Sequence, residues 1–529
     1  AMDSRPRLVL TGAAGFLGKR LIARLSNSWR VEAIDREPPD SGTLVRRRNI
    51  RWHRLDLADA TAVRQLFAQL RATGGATALL HFAAHYDFSG GEHPEYQRTN
   101  VDGTRLLLDA CEGLGLERFV FASSLAACAF PPAGTRLDEA SPPDGDHPYA
   151  VSKRAGEAMM RAERRFPTAI VRLAALYSDW CEYAPLYSLL GTWLSRRWNS
   201  RFVGGRGLSA VPYLHVRDAC LFVDRLLDRR HALDPGEVLI ASPNRVASHA
   251  ELFRAATRYA YGAELRPLAT PRPLAAVGLR LLGLLGRCGG KPPFERPWMA
   301  KMIDRRLEVD ARRSHARLGW APRARLDILR RIPFLIENQF GDPGSWTARN
   351  EAALHLDVLP SQVRILRLLE EHSAELLEAF TRAISADPES FPHYAHVGPI
   401  EHEGNLRELL RNLAHSIRSR RRGYFRSFCH DVALRRARQG RDQAELRAAL
   451  HTFQRVLLEV LATDPRVAAL EPELSGLLRH TIDFGLDGVE AGYEEAVGAE
   501  KPAPASAAGL ALPRRPPTRE DGAGSRHPA

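Results

Sequence analysis

Short apolar runs alternate with amphipathic stretches along the first 260 residues. The runs fall at Arg7–Thr11, Arg30–Ile34, Ile50–Arg54, Ala78–Phe82, Phe119–Ala122, Thr168–Leu173 and Glu237–Ala241. Each is four to six residues long and mostly apolar, as expected of buried strands. Between them, apolar spacings of three and four predict helices, notably over Gly15–Leu25, Asp59–Leu70, Asn100–Leu114 and Pro148–Arg164. Strand and helix in strict alternation predict a parallel sheet covered by helices.

The pattern is less regular from Leu176 to Trp320, where loops rich in Pro and Gly suggest a small substrate-binding region. A turn-forming run, Gly341-Asp342-Pro343-Gly344-Ser345, suggests a hinge. Beyond Glu351 the pattern becomes helical, through Gln362–Ser385, Asn405–Ser419, Tyr424–Ala437, Asp442–Leu461 and Glu471–Glu495. The fold class expected is therefore α/β: a Rossmann doubly wound parallel sheet with a small substrate-binding region, followed by a separate all-α bundle. The domain limits expected are 1–335, a linker over 336–350, a bundle over 351–497 and a disordered tail over 498–529, which has little to bury.

At 529 residues the chain is too long for one ordinary core. The net charge of +13 points to an acidic partner, but most of the basic residues are Arg in an Ala-, Leu-, Gly- and Pro-rich chain. That composition reads as a GC-rich coding sequence, and none of the nucleic-acid motifs is present. Six scattered cysteines without a CxxC pair fit a reducing, cytoplasmic compartment. The chain opens on no signal-peptide pattern, and Leu274–Leu285, interrupted by Arg280, is too short to span a bilayer. No metal motif is expected: His393, His396 and His402 read as solvated loop residues, and His430 and His451 as ordinary helix residues.

Residues Thr11-Gly12-Ala13-Ala14-Gly15-Phe16-Leu17-Gly18 follow the first strand and open a helix. Gly12 suits a tight turn, Gly15 close approach of a pyrophosphate, and Gly18 close packing of helix on strand. Asp35 ends the second strand, where a carboxylate meets ribose hydroxyls and repels a 2′-phosphate, which favours NAD. Arg36 offsets that repulsion and keeps NADP open. Asp56 and Leu57 end the third strand, either facing the adenine or serving the turn. Tyr149 and Lys153 lie one helical turn apart. An ammonium beside a phenol favours the phenolate, which makes Tyr149 a usable acid/base. Ser123 and Ser124 end the fifth strand and place a hydroxyl nearby.

In this order the motifs resemble the extended short-chain dehydrogenase/reductase family, also called the NAD-dependent epimerase/dehydratase family, over roughly residues 5–330. Thr11–Gly18 fits its TGxxGxxG, His81-Phe82-Ala83-Ala84 its strand end beside the cofactor, and Asn100-Val101-Asp102-Gly103-Thr104 its NVxGT. His215-Val216-Arg217-Asp218 and Leu318-Gly319-Trp320 fit later landmarks. The resemblance implies Tyr149 as acid/base, Lys153 on the ribose, Ser124 rather than Ser123 on the substrate oxygen, and Asn100 positioning a helix and a proton-relay water. It also implies cofactor contacts from Gly12, Gly15, Phe16, Leu17, Gly18, Asp35, Arg36, Asp56, Leu57, Phe82, Ala83, Ala84, Tyr149 and Lys153, and a homodimer.

Two departures bear on the substrate. Val211-Pro212-Tyr213-Leu214 lacks the arginine that nucleotide-sugar members of the family carry on the diphosphate; Arg201 and Arg206 are out of register. Arg172–Ser178 lacks the family's usual Pro and Asn. His85-Tyr86-Asp87-Phe88-Ser89 brings aromatics to the expected nicotinamide pocket, and Tyr183, Tyr187, Trp193 and Trp198 lie in the variable region. The expectation is an NAD(P)-dependent oxidoreductase of an apolar or aromatic alcohol or ketone. The alternatives are a nucleotide-sugar epimerase or dehydratase, and an NAD(H)-sensing regulator acting through the bundle. Phe428–Gly440 with Glu445, Leu446 and Phe453 is similar to the helical sensor modules of the RsbR/RsbRD stress-regulator type. That likeness implies a signal ligand or protein partner for residues 351–497.

Overall fold

The computed structural model describes residues 5–500, apart from 38–46, 88–89, 196, 276, 279–293, 295, 354–360, 395–398, 420, 465–466 and 468–470. Cys288 and most of the expected tail therefore lie outside the described residues.

Seven strands form one parallel sheet: β1 (Arg7–Thr11), β2 (Arg30–Asp35), β3 (Ile50–Arg54), β4 (Ala78–His81), β5 (Arg118–Ser124), β6 (Thr168–Leu173) and, after four short strands elsewhere, β11 (Glu237–Ala241). Their order is β11-β6-β5-β4-β1-β2-β3, the doubly wound arrangement expected. Alternate residues feed two cores. Leu8 and Leu10 pack with Leu17 and Leu21 of α1 (Phe16–Leu25) and with Phe222, Val223 and Leu226 of α6 (Val216–Asp228). Val9 points the other way, to Phe67 of α2 (Ala60–Ala72) and Leu107 of α3 (Thr104–Ala110). Both faces are dry, which is why these strands read as continuous apolar runs. The chain reverses direction across the sheet between β1 and β4, where an open α/β sheet leaves its ligand crevice.

The helix expected from Asn100 begins earlier, as a π turn over Tyr96–Gly103 that runs into α3. A π turn widens the ring by one residue, and such insertions cluster at functional sites.

A third core joins α5 (Ala184–Trp193) and α7 (His249–Tyr261) to helices Ile328–Gly341 and Pro343–Ala353. Residues 336–350 are thus helical and packed, not the expected linker: Trp346 is 3% exposed and Asn350 fully buried. The Gly-Asp-Pro-Gly run ends one helix and starts the next, with Asp342 accepting the Ser345 amide. Asn350 also fastens a tight turn. Its amide donates to the Trp180 carbonyl at 2.9 Å and its oxygen accepts the Glu182 amide at 2.8 Å. Cys181 and Glu182 there have φ of +70° and +55°, left-handed backbone that side chains adopt only under constraint.

Among the described residues after Ala353 the helices are Ser361–Glu371, Ser373–Ser385, Pro399–Ser419, Gly423–Arg438, Gln443–Leu461 and Glu471–Glu500. The expected single helix over Gln362–Ser385 is two, parted at His372, which pairs with Glu375 and Asp464. A second compact unit comprises, of the described residues, those in Leu376–Leu413, Arg422–Val460 and 476–500. Within it the last helix lies tightly against Gly423–Arg438: a Cβ on Gly488 would come 2.3 Å from the Arg426 carbonyl. His430 bridges to Glu495 on the surface, and His451 is exposed.

Replacing Asn350 with Ala is expected to destabilise the first unit by about 1–3 kcal/mol, because buried backbone groups of the turn lose their partner. The check is a lowered urea midpoint at unchanged slope in that unit's transition.

Candidate active site

Helix α1 starts at Gly15 with no side-chain cap and no acid in its first turn, so its amides face outward unneutralised. Gly12 has φ +73°, and a Cβ there would lie 2.7 Å from the Ala83 amide nitrogen at the end of β4. A Cβ on Gly18 would lie 2.1 Å from the Gly12 carbonyl oxygen. Gly15 meets only the Gly12 carbonyl oxygen, at 3.2 Å, and is open otherwise. Two glycines are thus demanded by the fold, while the third leaves space for a ligand. Phe16 packs against the sheet core and carries Arg20 over its ring at 4.3 Å; Leu17 is buried.

Asp35 closes the adjoining edge. Its carboxylate accepts the amides of Ala14 at 2.9 Å and Glu37 at 3.1 Å. Arg36 pairs with Glu95 at 3.1 Å. Asp56 accepts the Ala58 amide at 3.0 Å and pairs with Arg98, so it serves its turn as well as the crevice edge. Leu57 is buried. Phe82 and Ala83 are tied to Thr11 through its carbonyl and hydroxyl, and Ala84 follows half-buried.

Below them, the Thr11 hydroxyl and the Thr104 hydroxyl bond the two ring nitrogens of His81 at 2.8 and 2.9 Å. Burial, with the nearby Lys153 charge, pulls the imidazole down to about 3. His81 is therefore a neutral tie between β1, β4 and α3, a role its sequence position did not announce.

Helix α4 (Pro148–Ala162) carries Tyr149 and Lys153 on one face, as the spacing required. The Lys153 ammonium donates to the Ala122 carbonyl at 2.8 Å and lies 5.7 Å from the centre of the Tyr149 ring. Burial lowers Lys153 to about 8, against the opposing pull of Glu157. The phenol of Tyr149 does not move down as expected. Burial pushes it above its ordinary range, and a hydrogen bond with Ser124 only partly offsets this. Ser123 is spent on Glu157, at 2.7 Å, which leaves Ser124 as the hydroxyl facing Tyr149. Asn100 donates to the His85 carbonyl at 2.9 Å and to the Ser152 hydroxyl at 3.0 Å, and accepts the His85 amide at 2.7 Å. It joins the loop after β4 to α4.

Tyr86 packs 4.3 Å from the Tyr149 ring, and Tyr96 lies beyond at 6.4 Å. Tyr183 approaches Tyr86 and packs on Tyr213 at 5.8 Å. The other expected pocket aromatics lie elsewhere. Trp193 is core, against Phe253; Tyr187 packs on Trp346; Trp198 is 85% exposed beside Phe202. Phe88 and Ser89 lie outside the described residues. Arg201 turns to the Arg266 carbonyl. Among the described residues, no three His, Cys, Asp or Glu are grouped to hold a metal, and no helix is long and apolar enough to cross a membrane.

Residues 8–241 match the profile of the NAD dependent epimerase/dehydratase family. This region belongs to that family. The dTDP-glucose 4,6-dehydratase of Streptomyces niveus is 29% identical over 237 residues, covering 42% of this chain and 68% of that protein. The NAD-dependent glucose-6-phosphate dehydrogenase of Haloferax volcanii is 31% identical over 177 residues, covering 29% and 61%. The crystal structure of UDP-glucose 4-epimerase from Thermotoga maritima aligns with a TM-score of 0.47 at 18% identity, covering 63% of this chain and 97% of that one. The matched region is that of an NAD-dependent enzyme, and its uncapped α1 terminus, open Gly15 and Asp35 fit that dinucleotide.

His81 gives this site a pH signature. Its folded pKa lies below the ordinary value near 6.5, so the unfolded chain takes up the proton first. Stability should fall by about 1.4 kcal/mol per unit as pH drops from about 6.5 towards 3. Urea unfolding at several pH values checks this, and His81→Gln should flatten the slope.

Proposed function

We propose that this enzyme is an oxidoreductase that interconverts a secondary alcohol and a ketone. The observation that carries the reading is Tyr149 beside the Ser124 hydroxyl, with no carboxylate in Leu125–Phe130 after it. Moving a hydride calls for one proton at one oxygen. Eliminating water calls for a further acid/base pair at the neighbouring carbons. Bound NAD would take or give the hydride. Ser124 orients the substrate oxygen, and Tyr149 delivers the proton to that oxygen or removes it. Lys153 holds the ribose and supplies positive charge beneath the phenol. Asn100 keeps α4 and the loop after β4 in register. Tyr86 and Tyr183 wall the pocket and favour a substrate with an apolar or aromatic face. The helical region beyond residue 350 would carry regulation or partner binding, and the enzyme would act as a homodimer.

The Streptomyces relative supports a second reading, a nucleotide-sugar epimerase or dehydratase. Against it stand the missing cation at 211–214 and Arg201, turned to a backbone carbonyl.

NADH consumption with acetophenone, set beside product analysis after incubating the NAD-loaded enzyme with UDP-glucose and dTDP-glucose, whose epimerisation or dehydration uses no net NADH, separates the two. Ketone reduction supports the proposal; turnover of nucleotide sugars alone overturns it. Tyr149→Phe should lower kcat by about 10²–10⁴ and change NADH affinity less than about twofold. Reduction needs a protonated Tyr149, which its raised pKa supplies, and a charged Lys153. In the free enzyme kcat/KM should therefore be level below about pH 7 and fall as pH rises through about 8.

A further inference from the structure

Three arginines and three carboxylates meet where β2 and β3 end. Arg36 Nη1 lies 3.1 Å from Glu95 Oε2, and Arg98 Nη1 lies 2.8 Å from Glu95 Oε1. The Thr99 hydroxyl donates to Glu95, and Arg98 also pairs with Asp56. Arg54 donates to the Arg36 carbonyl at 3.2 Å. Asp35 holds the Ala14 and Glu37 amides. The cluster of Arg36, Arg54, Arg98, Asp35, Asp56 and Glu95 sums to zero charge.

A ribose 2′-hydroxyl is neutral and sits comfortably beside such a cluster. A 2′-phosphate brings close to two negative charges and needs an arginine, usually in bidentate contact. Arg36 is the residue adjoining Asp35, and its side chain is 49% exposed, within reach of that position. It is held by a carboxylate 59 residues away, on the residue just before the π turn. Glu95 is itself only 19% exposed and is held by the Thr99 hydroxyl and Arg98 as well.

We propose that Glu95 is the residue that makes this site choose NAD over NADP: by binding Arg36 it withholds the cation a 2′-phosphate would require. The proposal rests on the dinucleotide site described above. Selectivity is thereby divided between Asp35, which repels the phosphate, and Glu95, which ties up its partner. An exposed ion pair is individually weak, so release of Arg36 is expected to change affinity by about tenfold or less.

The test titrates the full chain with NADH and NADPH, following energy transfer from tryptophan to the nicotinamide. Four proteins are compared: wild type, Glu95→Gln, Arg36→Ala and the double variant. Wild type should bind NADH more tightly. Glu95→Gln should tighten NADPH about five- to tenfold and move NADH less than about twofold. Adding Arg36→Ala should abolish the gain. An unchanged NADPH-to-NADH ratio in Glu95→Gln overturns the proposal, as does a gain that survives in the double variant. Should Glu95→Gln fail to fold, Arg36→Ala alone decides. A loss of NADPH affinity under about twofold supports a restrained Arg36, and a larger loss overturns it. Binding of neither dinucleotide by folded wild type overturns the cofactor site itself, and the proposal with it.

Discussion

Glu157 and Arg172 form a two-point ion pair, at 3.0 and 2.9 Å, with both side chains essentially sealed from water. Arg161 and Ser123 complete the carboxylate's partners, and the Ser141 carbonyl takes the remaining guanidinium edge. A buried pair of this kind adds little net stability over an apolar pair of similar size, yet breaking it costs about 3–5 kcal/mol. What it supplies here is rotation. Glu157 follows Tyr149 and Lys153 at steps of four along α4, so fixing Glu157 on β5 and β6 fixes which way the other two point. Gly156 assists: any Cβ there would strike the Phe121 ring at 2.2 Å, so α4 lies directly on that ring. Phe121 in turn sits 5.0 Å beneath the Lys153 ammonium. The direction in which Tyr149 points is thus set from two helical turns away.

Much of this architecture is legible in the sequence because it is local or periodic. Leu8, Val9 and Leu10 are all fully buried, and a strand with two dry faces announces itself as an apolar run. Tyr149 and Lys153 are readable because four residues along a helix is one turn. The failures have equally physical causes. A π turn inserts one residue into a helix and leaves no trace in a 3.6 period. The Gly-Asp-Pro-Gly run marks a true change of helix, but turn chemistry does not say whether the following helix is packed, and Trp346 and Asn350 decide that it is. Trp193 and Trp198 share a composition and differ wholly in burial. His81, Glu95 and Asn350 act on residues between 23 and 170 positions away, and no local pattern encodes such pairings.

The phenol of Tyr149 illustrates how burial and charge compete. Spacing alone suggests that Lys153 lowers its pKa. In the folded chain the ammonium is turned to the Ala122 carbonyl and is itself desolvated, so exclusion of water dominates both groups. The phenol therefore keeps its proton at neutral pH.

The turn closed by Asn350 has a consequence for how the chain is made. The sheet is complete once β11 ends at Ala241, but in the left-handed pair Cys181–Glu182 only Cys181 bonds locally, to Ser178, and the Glu182 amide waits for Asn350. At roughly 5–20 residues per second on the ribosome, that interval lasts about 5–20 s. For that time a nascent chain would carry a finished sheet beside an unlatched turn, and its vulnerability to proteases would be concentrated at that bend.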